Sequence, residues 1–573
     1  MGAIKGQAAF EAGAEAITKK QVRRSHPGRE LLSTRPGGSS VRAAASRASA
    51  SDRAQNRPVL QLPALVPLLA ATAWLASCAP SQAPEPGAPP PHNVVVIVLD
   101  DVGVDLVGAY EVLFRERGRA PGTPAATPAL DAFAREGLLF THAWTVPTCS
   151  PSRARLLTGL HARSNGMGSV VKDAGDDGEA NAGNAGLSLA LTLLPQALHG
   201  APRPYACAAV GKWHLADVAQ LAEFPAHPLG RPVGTWFESY SGSLFNLQAP
   251  PDTARNAGYA NWLKTTIARE GTVKQEPKRV PPAGNYPTSD TTTDALALVR
   301  SLPEPYFLYV AFNAAHAPVH DVPGATDKPE GHPARLRAVV SELDRQVGLL
   351  LAALDFSDTT VVIVGDNGTE SRGVLPPFDP AHSKGTLNEE GCRVPFVVRS
   401  PRIASKLVGR ASDALVGFED VYATAVELAG AKLPPNAARD SRSLVPLLEG
   451  RAPQVREIHY TESFFPNFTP DPATGAPPPS FRARRHNQAI TDGRFKLIRE
   501  TISTGSTPEV REQFFDLAHG APSASDDSNA PRAPDWFEAH DLLLTPLAAD
   551  SDAARALTRL RAELDSRYPS LAR

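Results

Sequence analysis

Apolar and polar positions follow different periods in different parts of the chain. From residue 93 onward, continuous apolar runs of strand length recur: NVVVIVLDD (93–101), YACAAVG (205–211), YFLYVAFN (306–313) and TTVVIVGDNG (359–368). Runs without polar alternation suit central parallel strands buried on both faces. Between them the period is helical. TPALDAFAREG (127–137) ends on a glycine stop, and RLRAVVSELDRQVGLLLAAL (335–354) reads as a long amphipathic helix. Strands alternating with helices predict an α/β domain over 93–434, a large, mostly parallel sheet flanked by helices. Ligands in such folds gather at the carboxyl ends of the strands.

A further helix, DVYATAVELAGA (420–431), leads into the turn-rich LPPNAARDSRSLVPLLEG. Beyond it the runs shorten to EIHYTES, QAITDG and RFKLIRE, with a hairpin expected at Asp492-Gly493. A smaller C-terminal α+β subdomain (435–573) with an antiparallel sheet and a last helix over 552–566 follows. No internal repeat is visible.

The N-terminus has a third pattern. Residues 1–57 are rich in Ala, Arg, Ser and Gly, and are expected to be a disordered or wrongly assigned extension. Residues 58–78, PVLQLPALVPLLAATAWLASC, have the shape of a secretory apolar region behind Arg53 and Arg57. Its end, Leu75-Ala76-Ser77-Cys78, resembles a bacterial lipobox, in which the cysteine is lipidated. The alternative is an uncleaved membrane anchor. Both export the domain, and 79–92 then forms a proline-rich tether. The expected location is the periplasm or cell surface of a bacterium, held by the lipid anchor only.

Composition narrows the function classes. With 58 basic and 60 acidic residues the net charge is −2, which gives no signal for a nucleic-acid partner. The four cysteines (78, 149, 207 and 392) include no CxxC pair, so a thiolate zinc site is not expected. Hard-cation chemistry is another matter. Asp100-Asp101 ends one predicted core strand and Asp366-Asn367 ends another. Such oxygen donors suit Ca²⁺, with Mg²⁺ as the alternative; either pair alone would sooner cap a helix or make an Asx turn, and it is the two together, after two core strands, that point to a cation.

The stretch TVPTCSPSRARLLTGL (145–160) sets Cys149 at a predicted helix start, where Cys149 or Ser150 would be the cap. By itself it fits a reactive thiol near a helix dipole as well as an inert buried one. Lys212 and His214 (in GKWHL), His316 (in NAAHAP) and Lys384 (in HSKGT) each follow a strand or sit in a loop. Together they supply the positive charge and proton donors that bind a tetrahedral oxyanion.

These segments resemble the type I sulfatase family. Cys149-Ser-Pro-Ser-Arg153 followed by Leu-Leu-Thr-Gly159 is similar to its CxPxR signature, and the DD, GKWH, HAP, DNG, KGT…RVP, DVYATAVELAGAKLP and SLVPLLEG segments occur in its order over about 93–500. The resemblance implies an alkaline-phosphatase-like fold. It also implies oxidation of Cys149 to Cα-formylglycine by a maturation enzyme that recognises Pro151 and Arg153. The aldehyde hydrate would then attack the sulfur of a sulfate ester, on a sulfated small molecule or glycan. Asp100, Asp101, Asp366, Asn367 and the modified Cys149 would hold Ca²⁺. Arg153 and Lys212 would anchor the hydrate. Lys384 and His316, with Lys212, would bind the ester, one of them protonating the leaving oxygen. His214 would take a proton so that the enzyme releases sulfate and regenerates the aldehyde.

Phosphonate monoester or phosphodiester hydrolysis, and a non-catalytic binding role, are the alternatives. Where the family has two glycines before RVP this chain has Glu390, expected to face solvent. Cys207, Cys392, His161 and His320 are expected to be structural. Substrate selection is expected from 226–248 and 463–485; the arginines 482, 484 and 485 read as a solvated basic run.

Overall fold

Val95, Ile97 and Leu99 pack into one apolar cluster while Val94, Val96 and Val98 pack into another. Strand β1 (Asn93–Leu99) is therefore covered on both faces, as its unbroken apolar run requires. These positions come from a computed structural model, described here for residues 92–111, 122–171, 185–216, 236–247, 258–268, 272–281, 283–503, 507–518 and 537–572. The segment 58–78 with Cys78, most of the 79–92 tether, and part of the 226–248 loop lie outside the described residues.

Strand β1 is paired in parallel with β8 (Thr359–Gly365) on one side and β7 (Tyr306–Ala311) on the other. β7 pairs in parallel with β3 (Ala206–Lys212), and β3 with β4 (Ser239–Ser243). The four long apolar runs of the sequence are thus neighbours at the centre of the sheet. Its margins are mixed. Beyond β4 come the antiparallel β5 (Asn261–Ile267) and β6 (Val273–Arg279). Beyond β8 come β9 (Phe396–Arg399), antiparallel, then β2 (Leu138–Trp144) and β10 (Arg410–Gly417). The result is a ten-stranded mixed sheet with a parallel core.

Helices α1 (Pro128–Glu136), α2 (Cys149–Thr158), α3 (Pro287–Ser301), α4 (His332–Leu351) and α5 (Asp420–Leu428) flank it. Four antiparallel strands, β11 (His459–Phe465), β12 (Arg485–Thr491), β13 (Phe495–Ile502) and β14 (Glu509–Asp516), form the second sheet. α6 (Asp552–Arg567) lays Leu557, Leu560 and Leu564 on it beside Leu497 and Phe514. The β12–β13 hairpin turns at Gly493, whose φ of +92° a side chain would strain. Among the described residues no helix is long and apolar enough to cross a membrane.

The second sheet is fastened to α2 by a charge. Buried Arg155 donates to the Tyr460 carbonyl (2.8 Å) and the Thr461 hydroxyl (3.0 Å) on β11, and pairs with buried Glu419 at 2.5 Å.

Candidate active site

Parallel strands end on the same edge, and that edge carries the chemistry. Leu99 of β1 is in register with Gly365 of β8, so Asp100-Asp101 and Asp366-Asn367 emerge side by side. Asp366 N–H donates to the Leu99 carbonyl (3.0 Å), and Asp101 N–H to Asp366 Oδ1 (3.2 Å). Asp101 takes a left-handed φ of +59°, which turns its carboxyl back over the strand end. β3 delivers Lys212 at its last residue. The turn after β7 delivers His316, tied to β1 by Asp100 N–H donating to the Ala314 carbonyl (3.0 Å).

Cys149 arrives from the other direction, through the link between β2 and α2. It is the first residue of the helix, and Thr148, in extended conformation, occupies the cap position expected for Cys149 or Ser150. Gly159, at φ +63°, closes the helix where a Cβ would lie 2.5 Å from that of Ala438. Gly385 N–H donates to the Pro147 carbonyl (2.9 Å) and Lys384 N–H to the Thr369 carbonyl (3.0 Å), so the lysine loop is bound to both walls of the site.

Cys149 Sγ lies 3.5 Å from Asp100 Oδ1 and 3.7 Å from Lys384 Nζ. Lys384 Nζ also reaches both Asp101 oxygens, at 2.6 and 2.7 Å. Lys212 Nζ stands 2.6 Å from Asp100 Oδ2. Arg153 donates to Asp366 Oδ2 through Nε (3.1 Å) and Nη2 (2.7 Å), and to the Lys212 carbonyl through Nη1 (2.8 Å). Ligand atoms of Asp100, Asp101, Cys149 and His316 fall within 4.8 Å of one another.

Burial sets the electrostatics. It raises Asp100, and with help from Asp100 it raises Asp366 to about 6. Burial acts the same way on Asp101, but Lys384 overrides it and holds that carboxyl well below the usual range. Burial would also raise the Cys149 thiol; Lys212 and Lys384 instead bring it down to about 6. His214 is kept neutral by burial and by Lys212. Its Nε2 bonds the Val171 carbonyl at 2.9 Å, and its buried Nδ1 has no partner among the described residues.

Such a cluster of acids, bases and a thiolate-prone sulfur is common to several hydrolase chemistries, and relatives distinguish among them. The profile of the family described as Sulfatase matches residues 92–431, more than half of the chain. The chain belongs to the sulfatase family. It is a sulfuric ester hydrolase. It is 31% identical to N-acetylgalactosamine-6-sulfatase of Homo sapiens, over 64% of this chain and 67% of that one. To human arylsulfatase A it is 30% identical over 67% and 72%. The fold is that of Ps i-CgsB, solved in complex with k-i-k-neocarrahexaose (TM-score 0.57, 23% identity, 84% of this chain and 94% of that one). A protein solved with its substrate D-glucosamine-2-N,6-O-disulfate is similar too (TM-score 0.55, 17% identity, 83% and 97%).

The sulfatase fold brings together Asp100, Asp101, Cys149, Arg153, Lys212, His316, Asp366, Asn367 and Lys384, all chosen from sequence, with His214 just behind them. The cation reading fits the donor set on one specific count. Asn367 Nδ2 donates to Asp101 Oδ1 (2.8 Å) and the Gly368 carbonyl (2.9 Å), and its buried Oδ1 has no partner among the described residues. An amide oxygen left bare beside carboxylates is what a hard cation uses.

Glu390 is a correction. It is 2% exposed rather than solvent-facing, with Asp105 as its charged neighbour. Asp105 accepts from the Thr369 hydroxyl (2.6 Å) and Leu375 N–H (2.9 Å); no donor among the described residues reaches either Glu390 oxygen. Burial and the neighbouring Asp105 carboxyl push the Glu390 pKa well up and favour its neutral form, so the residue's usual preference for water is reversed. Cys207 and Cys392 are buried, and the arginines 482, 484 and 485 are exposed, as expected. In 463–485, Phe464, Phe468 and Phe481 pack on one another, so the expected substrate loop has its own small core. Sequence reading passed over Tyr259, whose hydroxyl bonds the turn that carries His316.

Proposed function

We propose that this sulfatase removes sulfate from a sugar or other small alcohol at Cys149, matured to Cα-formylglycine, with Ca²⁺ held by Asp100, Asp101, Asp366, Asn367 and the modified Cys149. The observation that carries this reading is the setting of Cys149 Sγ at the first turn of α2, 3.5 Å from a carboxylate and 3.7 Å from an ammonium. Conversion to the aldehyde would supply a hydrated carbon with two hydroxyls, one to attack and one to release the product. A bound divalent cation would neutralise the sulfate and favour ionisation of the attacking hydroxyl.

The chain's own residues do the rest. Arg153, pinned by Asp366 and by the Lys212 carbonyl, keeps its charge under the first turn of α2 and orients the group at 149. Lys212, paired with Asp100, and Lys384, beside Cys149, bind the sulfate oxygens and offset the charge that grows on them. His316 presents Nε2 to the site, because its Nδ1 is engaged by the Ala317 carbonyl at 2.8 Å, and donates the proton to the leaving oxygen. His214, neutral and with a bare Nδ1, accepts the proton whose loss frees sulfate.

The relatives named for N-acetylgalactosamine 6-sulfate support a sugar sulfate as substrate. The 58–78 segment supports export and lipidation at Cys78; loss of palmitate labelling in Cys78→Ser checks it. The activity is tested by comparing kcat/KM for 4-nitrophenyl sulfate with that for a 4-nitrophenyl phosphodiester. The sulfate ester is expected to win by orders of magnitude, and the reverse order overturns the reading.

A further inference from the structure

His316 is held by its main chain as much as by its ring. It follows β7 in a tight turn, with His316 N–H donating to the Asn313 carbonyl at 3.0 Å. The Asn313 and His316 carbonyls converge on one donor, the phenol of Tyr259, which lies 3.0 Å from His316 O and bonds Asn313 O as well. Tyr259 stands just ahead of β5, 3% exposed. Its ring stacks on His320 with centroids 3.9 Å apart. His320 is fixed in turn by the Tyr286 hydroxyl at Nε2 (3.0 Å) and the Pro318 carbonyl at Nδ1 (3.0 Å). A rigid aromatic stack thus aims one hydroxyl at both ends of a four-residue turn. Burial, then the nearby Tyr286, Asp100 and Asp101, push the phenol pKa well up, so it stays a donor.

We infer that Tyr259 is a positioning residue for the leaving-group step: by clamping the 313–316 turn it holds His316 Nε2 where the departing oxygen receives its proton. This rests on His316 being the acid. In that step the attacking oxygen at position 149 bonds to sulfur as the ester S–O bond breaks; that bond's electron pair goes to the alcohol oxygen, which takes the Nε2 proton and leaves a neutral imidazole. Removing the Tyr259 hydroxyl leaves the stack in place and strips the turn of the one tether that holds both its end carbonyls, while its bonds to β1 remain. A small displacement of a proton donor costs most where protonation matters most.

The test is a series of aryl sulfates with rising leaving-group pKa, assayed with wild type, Tyr259→Phe and His316→Ala. Tyr259→Phe is expected to retain nearly full kcat on 4-nitrophenyl sulfate, which also shows that it folds. On unsubstituted phenyl sulfate its kcat falls roughly tenfold at unchanged KM. His316→Ala follows the same trend more steeply. A Tyr259→Phe deficit equal across the series, beside a steep one for His316→Ala, overturns the inference and leaves the acid in place. A flat series for His316→Ala removes the acid and the inference together.

Discussion

Lys384 Nζ stands between Cys149 Sγ, at 3.7 Å, and the carboxylate of Asp101, at 2.6 Å. One ammonium therefore serves the reacting group and a carboxylate of the cation site, and its partly buried charge would be costly to keep without those partners. Its pKa accordingly lies above the usual lysine value, against burial, because Asp101 outweighs it. Lys384→Met is expected to lower kcat/KM on an aryl sulfate by roughly a hundredfold or more, in the range found for losing one oxyanion donor. Urea unfolding with an unchanged slope checks that the fold survives. Activity within twofold of wild type would show that the lysine does not touch the reacting sulfate.

Asn367 carries the clearest mark of a cation site, its bare Oδ1. Dialysis against a chelator is expected to abolish activity and Ca²⁺ to restore it. Asn367→Ala should raise the Ca²⁺ concentration needed for half restoration by roughly ten- to hundredfold. Titration of chelated protein by calorimetry reads the same shift without activity. Equal affinity in both proteins would contradict the assignment of that oxygen.

The Asp105–Glu390 pair predicts a pH effect with a definite sign. Burial raises Asp105 to about 6 and, aided by Asp105, raises Glu390 well above the ordinary carboxyl value. The folded protein thus keeps protons that the unfolded chain releases above about pH 4. The stability this contributes is fully present below the unfolded pKa values and is lost as pH rises through the folded ones. Glu390→Gln keeps the shape and a donor but removes the titration. Its Tm is expected to gain on wild type as pH rises from about 5 toward neutrality. A constant difference across that range would count against a carboxyl kept neutral by burial.

Arg155 offers a stability test remote from the reacting atoms. It joins α2 to β11 and pairs with Glu419, both fully buried. Arg155→Leu leaves Glu419 with Arg456 and His459 but strips the β11 contacts. A loss of about 3 kcal/mol is expected in urea unfolding, the lower end for breaking a buried pair. A change under about 0.5 kcal/mol would mean the two sheets do not need the bridge.

The parts of this fold that were legible in the sequence are those in which one force dominates. β1, β3, β7 and β8 are buried on both faces, so their composition admits little else. β6, VKQEPKR, is the opposite case: an exposed edge strand, held by backbone pairing to β5 and free to carry lysines. No apolar period marks it. Glu390 was misjudged for a related reason. A carboxyl belongs in water unless another group takes its charge, and its neighbour Asp105 lies far away in sequence. Tyr259 was passed over because a buried tyrosine looks like core until the carbonyls it meets are known. Asp100 and Lys212 were legible because they close strands on one edge of the sheet and Cys149 because it opens a helix; Lys384, in a loop, was legible from its motif alone.

In the proposed reaction Cys149 is thus a precursor whose sulfur is lost on maturation. The most direct test is the mass of the tryptic peptide spanning 136–153, taken from protein made in a host with a formylglycine-generating enzyme. An aldehyde is expected at position 149, trapped by an aldehyde-reactive hydrazide, and no such adduct in Cys149→Ala. A peptide carrying only the thiol, from protein that nevertheless hydrolyses aryl sulfates at full rate, would contradict it.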